Sequence, residues 1–301
     1  MINTGQIAQL LRPGLKAVFG DYGTYPAQWK DIFKTYQSDK YQEIEVEMKY
    51  LGNADIKPEG QPIASDSMGQ RIVTNYIHKR VGLSFTITKE AIEDNLYKNQ
   101  FPQQARSLRD ALASTKNILG ANVLNNAFNV NHPIGDGQPV CSNNHPIDGG
   151  VFSNSLAGSA TVDFSEAGLE QAIIAIQKFP MQSGILAQTM AKKLIIPREL
   201  QFAASRLLNS QFRVSTANND INAIYHNDYI PEGYKVNQYL TSPDAWFIIT
   251  DAPDGLKHFQ RTGVETDSYV DFPTDNAIFK ATERYSFGVS NPRGVFGSPG
   301  V

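Results

Sequence analysis

The chain has 301 residues, carries 27 Lys and Arg against 30 Asp and Glu for a formal charge of −3, and is 41% hydrophobic but only 19% charged. That length allows one large domain or two ordinary ones with a real core. The composition excludes a basic block for gripping nucleic-acid phosphates, a disulfide framework, since Cys141 is the single cysteine, and an apolar run near the ~20 residues of a membrane helix.

In chain order, Met1-Ile-Asn-Thr-Gly has neither the basic nor the apolar segment of a signal peptide, so a soluble protein made in a reducing cytoplasm is expected. A short helix is expected near Gln6 to Leu11, then an extended tail. Residues 26–36 read as a helix, with Pro26 in its first turn and Trp29, Ile32, Phe33 and Tyr36 on one face. That stripe is strongly apolar for a terminal arm and calls for a partner surface.

From Tyr41 to Ile87 the sequence reads as a long β-hairpin. Ile44, Val46, Met48 and Tyr50 alternate with Glu43, Glu45, Glu47 and Lys49, the period of a strand with one wet face. A turn-rich tip follows from Gly52 to Gly69, then a run from Arg71 to Ile87 dense in β-branched and aromatic residues. Setting Glu43 opposite Lys79 places the apolar row against His78, Tyr76, Thr74 and Ile72. The apolar phase changes beyond Arg80, which predicts a bulge or bend near Gly82, with an arm on one side and a body strand on the other.

Helices are expected at 88–96, capped by Thr88, at 102–128 as the longest element, at 166–178 after Ser165, and from Pro197 to about Leu208. Strands are expected at Lys193–Ile196, at Ala245–Thr250 with no wet face, and over Ala277–Val289. Residues 129–162 and 209–231 read as loops.

Short catalytic signatures are missing: no P-loop, no dinucleotide fingerprint, no His-Glu-x-x-His, no Gly-x-Ser-x-Gly. His132, Cys141 and His145 are residue types that bind zinc or pair a thiolate with a base, but their spacing matches no zinc signature and both histidines precede proline. Asp220, His226 and Asp228 are cation or acid–base candidates, more simply read as turn formers. The Glu43, Glu45, Glu47 row reads as a wet strand face, and Trp246 and Phe247 read as core.

Asp136-Gly-Gln-Pro-Val-Cys-Ser-Asn-Asn-His-Pro, Leu194-Ile-Ile-Pro-Arg-Glu-Leu before Ala203-Ala-Ser, Tyr239-Leu-Thr-Ser-Pro-Asp-Ala-Trp-Phe, Glu283-Arg-Tyr-Ser-Phe-Gly-Val and Arg293-Gly-Val-Phe-Gly-Ser follow one another in an order that resembles the major head subunits of Mu-like phages. With an N-terminal arm, a long hairpin and one long helix, the architecture resembles the Hong Kong 97-like fold of tailed-phage major capsid proteins. The resemblance implies an α+β subunit with an N-terminal arm (1–40), an E-loop hairpin (41–87), a peripheral domain (88–129 and 276–301) and an axial domain (130–275). It implies a structural protein with no catalytic residue, cofactor or metal, which self-assembles into hexamers and pentamers of an icosahedral head around double-stranded DNA. It further implies a separate scaffolding protein, a portal, a decoration protein and non-specific contact with packaged DNA as partners, no membrane, and a place in the virion after assembly in the host cytoplasm. The residues expected at contacts between copies are Trp29, Phe33, Ile44, Val46, Met48, Tyr50, Glu43, Glu45, Glu47 and Lys79. A tail-tube subunit and, further off, a hydrolase built around Cys141, His145 and Asp148 are the competing readings.

Overall fold

The computed structural model describes residues 15, 18–19, 25–94, 97–159, 162–212 and 220–300, with residues 97–100 described as helix only. The helix expected near Gln6 to Leu11 lies outside the described residues, as does 213–219 within the expected 209–231 loop.

Two four-stranded sheets and one long helix frame the molecule. The first sheet has the order β1-β10-β11-β4. Its centre is an antiparallel pair, β10 (Leu256–Val270) and β11 (Ala277–Val289), in register from Leu256↔Val289 to Val270↔Ala277, with irregularities between Gln260 and Glu265. β4 (Lys79–Ile87) runs antiparallel to β11, and β1 (Lys34–Gln37) runs parallel to the start of β10. The second sheet has the order β12-β9-β7-β8, from Val295–Ser298, Trp246–Thr250, Ala191–Ile196 and Tyr234–Val236. β10 therefore belongs with β4 and β11, and β12 with β9, so a boundary at 275/276 falls between hydrogen-bonded partners.

Helix α1 spans Lys89–Glu93, and the Thr88 side chain accepts a hydrogen bond from the Ala91 amide at its start. Helix α2 spans Tyr97–Asn125, 29 residues or about 44 Å at 1.5 Å per residue. It starts earlier than expected, with Pro102 inside it. Its buried stripe is Ala105, Leu108, Leu112, Ala121 and Leu124, and between the last two leucines it also buries Lys116 and Asn117. Helix α3 (Glu166–Gln177) is capped by Ser165 and buries Leu169, Ala172, Ile173 and Ile176. Helices α4 (Gln201–Asn209) and α5 (Ala223–His226) follow, the latter capped by Asn222.

The 245–250 run has no wet face because both faces of the second sheet are covered. Trp246 and Ile248 join Leu194, Ile196, Leu169, Ile176, Phe179 and Phe296 in one core. Phe247 and Ile195 point the other way, into a core with Leu124, Cys141, Leu256, Val289 and Val295.

The helix expected over 26–36 is instead a 3-10 turn, Gln28–Asp31, followed by β1. Pairing of Lys34–Gln37 with Lys257–Gln260 overrides the helical period. Trp29, Ile32 and Phe33 are buried in this chain's own second core. The Trp29 ring lies 4.3 Å from that of His258, and Phe33 lies 4.9 Å from Phe287. The apolar stripe thus has its partner within the chain, which corrects the expectation that a neighbouring copy covers Trp29 and Phe33.

Candidate assembly surface

The hairpin forms a two-stranded sheet of its own, β2 (Gln42–Lys49) with β3 (Gly69–Ile77). Between them, residues 50–68 have no regular secondary structure and expose Ile56, Ile63 and Met68. The change from arm to body comes at His78, between β3 and β4, and not at Gly82. Gly82 lies within β4 opposite Thr282, so close that an added Cβ would sit 2.7 Å from the Thr282 methyl. His78 fixes the junction through Nε2 to Ser38 Oγ at 3.1 Å and Nδ1 to Ser286 Oγ at 3.0 Å.

The pairing differs from the expected one. Glu43 lies opposite Tyr76, Glu45 opposite Thr74 and Glu47 opposite Ile72, while Ile44 faces Asn75 and Val46 faces Val73. Lys79 is on β4 opposite Tyr285, away from Glu43. This three-residue offset, an odd number, reverses the two faces. The glutamates lie on the face with buried Ile72 and Tyr76, against the body, and the apolar row looks outward. Ile44 is 54% exposed, Val46 38%, Val73 43% and Ile77 54%, with Tyr41 and Tyr50 exposed at either end of β2. Met48 is half-buried.

Each glutamate meets a fixed partner. Ser38 Oγ donates to Glu43 at 2.7 Å, and Lys40 Nζ is 3.2 Å from its other oxygen. The Ser38 hydroxyl is the main cause holding the Glu43 carboxyl below its usual range. Glu45 accepts from Lys257 and, at 2.8 Å, from Ser290 Oγ. Tyr76 OH shares the same Ser290 hydroxyl at 2.5 Å. Glu47 pairs with Arg293 Nη1 at 2.7 Å and accepts from Gln182 Nε2 at 3.1 Å. Burial pushes the Glu47 carboxyl up and the Arg293 guanidinium down, and their mutual attraction offsets part of both shifts. Arg293 is held by the Pro180 carbonyl and lies 4.6 Å over the Phe152 ring. At the far end Lys49 bridges Asp148 at 2.5 Å and Asp66 at 3.6 Å. The free edge of β2 borders a groove of about 450 Å³ lined across from it by Met181, Ala187 and Pro253.

Lys257, Ser290 and Gln182 carried no signal in the sequence, and Arg293 stood out only as the first residue of a family-like run. They lie more than 130 positions from the glutamates they meet, and only the fold brings them together.

The other candidates do not gather. His132 is exposed, whereas Cys141 and His145 are buried. The His145 ring is engaged on both sides, Nδ1 with Asp136 at 2.6 Å and Nε2 with Asn154 Oδ1 at 3.0 Å. Burial raises the Cys141 thiol far above the range of a thiolate nucleophile. Asp220, His226 and Asp228 are exposed. Among the described residues no three His, Cys, Asp or Glu side chains form a group that could hold a metal ion, and no helix is long and apolar enough to cross a membrane.

A family model described as phage capsid protein matches residues 72–297, three quarters of the chain. No curated protein sequence matches. Among solved structures, the capsid of cyanophage P-SCSP1u aligns with a TM-score of 0.57 at 10% identity, over 91% of this chain and 88% of that one. A structure from Mycobacterium phage Che8 aligns with a TM-score of 0.56 at 13% identity, over 89% of each chain. The virus-like particle from Pyrococcus furiosus aligns with a TM-score of 0.53 at 10% identity, over 94% and 97%. At such identities these likenesses speak to the mixed α+β fold.

Proposed function

We propose, since this chain belongs to the phage capsid protein family, that its hairpin is the arm by which one copy grips the next in the shell. The chain is a phage capsid protein, a structural component of the virion that associates with copies of itself, and not an enzyme.

The observation that carries the role of the arm is the inverted hairpin. The charges of β2 are turned inward onto Lys257 and Arg293, leaving Ile44, Val46, Val73 and Ile77 in water as one contiguous row. Such a row on an exposed two-stranded ribbon is an interaction surface, and in a shell the surface available to it is the adjacent copy. In this reading the hairpin is the E-loop of a Hong Kong 97-like subunit, as in the Mu-like major head subunits. The β1-β10-β11-β4 sheet with α2 is the peripheral domain, and the β12-β9-β7-β8 sheet with α3 is the axial domain. Hexamers and pentamers are the assembly units. A scaffolding protein, a portal, a decoration protein and non-specific contact with packaged double-stranded DNA complete the proposed partners. Of the expected contact residues, Ile44, Val46 and Tyr50 remain in this role with Met48 at its margin, while Glu43, Glu45 and Glu47 hold the arm to its own body.

The test is the pair Val46→Asp and Val73→Asp, expressed with the presumed scaffold and imaged in negative stain. A folded subunit that no longer closes shells supports the reading, and shells of normal size and yield sink it. A tail-tube role would show as tubes in the same images.

A further inference from the structure

We infer that Lys116 and Gln260 join in an intramolecular isopeptide bond that staples α2 to β10, with Glu283 moving the proton. This inference is independent of how copies meet. Lys116 Nζ lies 2.8 Å from Gln260 Oε1 and 3.0 Å from Glu283 Oε2. The Lys116 side chain is 5% exposed and that of Glu283 0%. The Trp29 and Tyr285 rings close over the amine at 4.9 Å and 4.6 Å. The carboxamide is held in place, because Gln260 Nε2 donates to the Thr262 carbonyl at 2.8 Å.

An amine, a carboxamide and a carboxylate held together in a largely buried site are the parts of an acyl transfer. Burial lowers the Lys116 ammonium below its usual range, which favours the neutral amine that attacks. A desolvated lysine amine is a nucleophile, and holding it against the carboxamide makes the attack intramolecular. Nζ attacks Gln260 Cδ and forms the new C–N bond. The bond from Cδ to Nε2 breaks, Glu283 passes the amine's protons to Nε2, and that nitrogen leaves as ammonium. Nothing is oxidised or reduced and no co-reactant is needed. A cavity of about 280 Å³ bordered by Lys116, Gln260 and Glu283 gives the leaving group room. The bond would tie residues 144 positions apart, helix to sheet.

The experiment is the intact mass of the full chain in denaturant, followed by tryptic mapping. The expected result is a mass about 17 Da below the sequence value, the loss of one ammonia, with one branched peptide joining the Lys116 and Gln260 segments. In Glu283→Gln the full sequence mass should return. A wild-type chain at its sequence mass, or a 17 Da loss that maps to other residues, overturns the inference whether or not any variant folds.

Discussion

Glu47 and Arg293, 246 positions apart, form an ion pair of 2.7 Å in which the arginine is 3% exposed and the glutamate 18%. The pair fixes the arm to the loop that leads into β12, so the arm's direction is set by its own subunit before any neighbour arrives. A hydrogen bond from Gln182 to the second oxygen of Glu47, and the Phe152 face under the guanidinium, complete the seat.

Removing one partner of such a pair leaves a buried charge without compensation, which costs about 3 kcal/mol or more. Arg293→Met should lower the denaturation midpoint accordingly. Arg293→Met combined with Glu47→Met should lose less than the two single changes added together. A double-mutant cycle by denaturant titration measures that coupling, and additive losses would mean that the pair does not seat the arm.

Arg293 reaches its place because the backbone beside it runs against another backbone. A Cβ on Gly294 would lie 2.4 Å from Gly255 Cα, and one on Gly255 would lie 2.8 Å from Gly294 Cα. Backbone cannot yield as a side-chain tip does. Gly294→Ala should therefore destabilise the chain by about 2 kcal/mol or more and speed amide exchange in β2, because the Glu47 anchor moves with it. Unchanged exchange in residues 42–49 would separate the glycine contact from the arm.

Deleting residues 53–65, the exposed tip, removes no side chain from either main core. The expected outcome is a subunit with an unchanged thermal midpoint that fails to close shells. The midpoint is read by calorimetry and shell closure by sedimentation. Wild-type particles from the deleted chain would remove the tip from assembly.

The difference between legible and illegible parts of the chain is one of range. Local signals held: Thr88 and Ser165 cap their helices as expected, and Ala277–Val289 is a strand with those bounds. The strand character of 42–49 was legible from its alternation, but not which face was wet. Four acidic and basic side chains in alternation look solvated until Lys257 and Arg293 arrive from the far end of the chain. The same holds for the 26–36 stripe. Trp29, Ile32 and Phe33 are buried within the chain, but β10 captures Lys34–Gln37 as a parallel strand and leaves Tyr36 exposed. β10 has no legible alternation at its start, because Lys257 and His258 are buried there beside Leu256 and Phe259. Lys116 lies on the buried face of α2, where no apolar period would place it, because Glu283 and Gln260 meet it there.

His258 gives the chain a pH dependence of known sign. Its ring is enclosed by Trp29, Phe287 and Tyr285, and burial above all pushes its pKa down to about 3 from the ordinary value of 6.5. The folded chain thus holds this imidazole neutral where the unfolded chain protonates it, so between those two values the unfolded state binds more protons. The stabilisation is fully present above pH 6.5 and is lost as pH falls toward 3, by on the order of 2–3 kcal/mol at pH 4.5. His258→Phe keeps an aromatic ring among these neighbours and removes the titration. The wild type should therefore lose stability relative to His258→Phe as the pH is lowered from 7 to 4.5 in denaturant titrations. Parallel curves for the two chains would show that His258 is protonated in the fold.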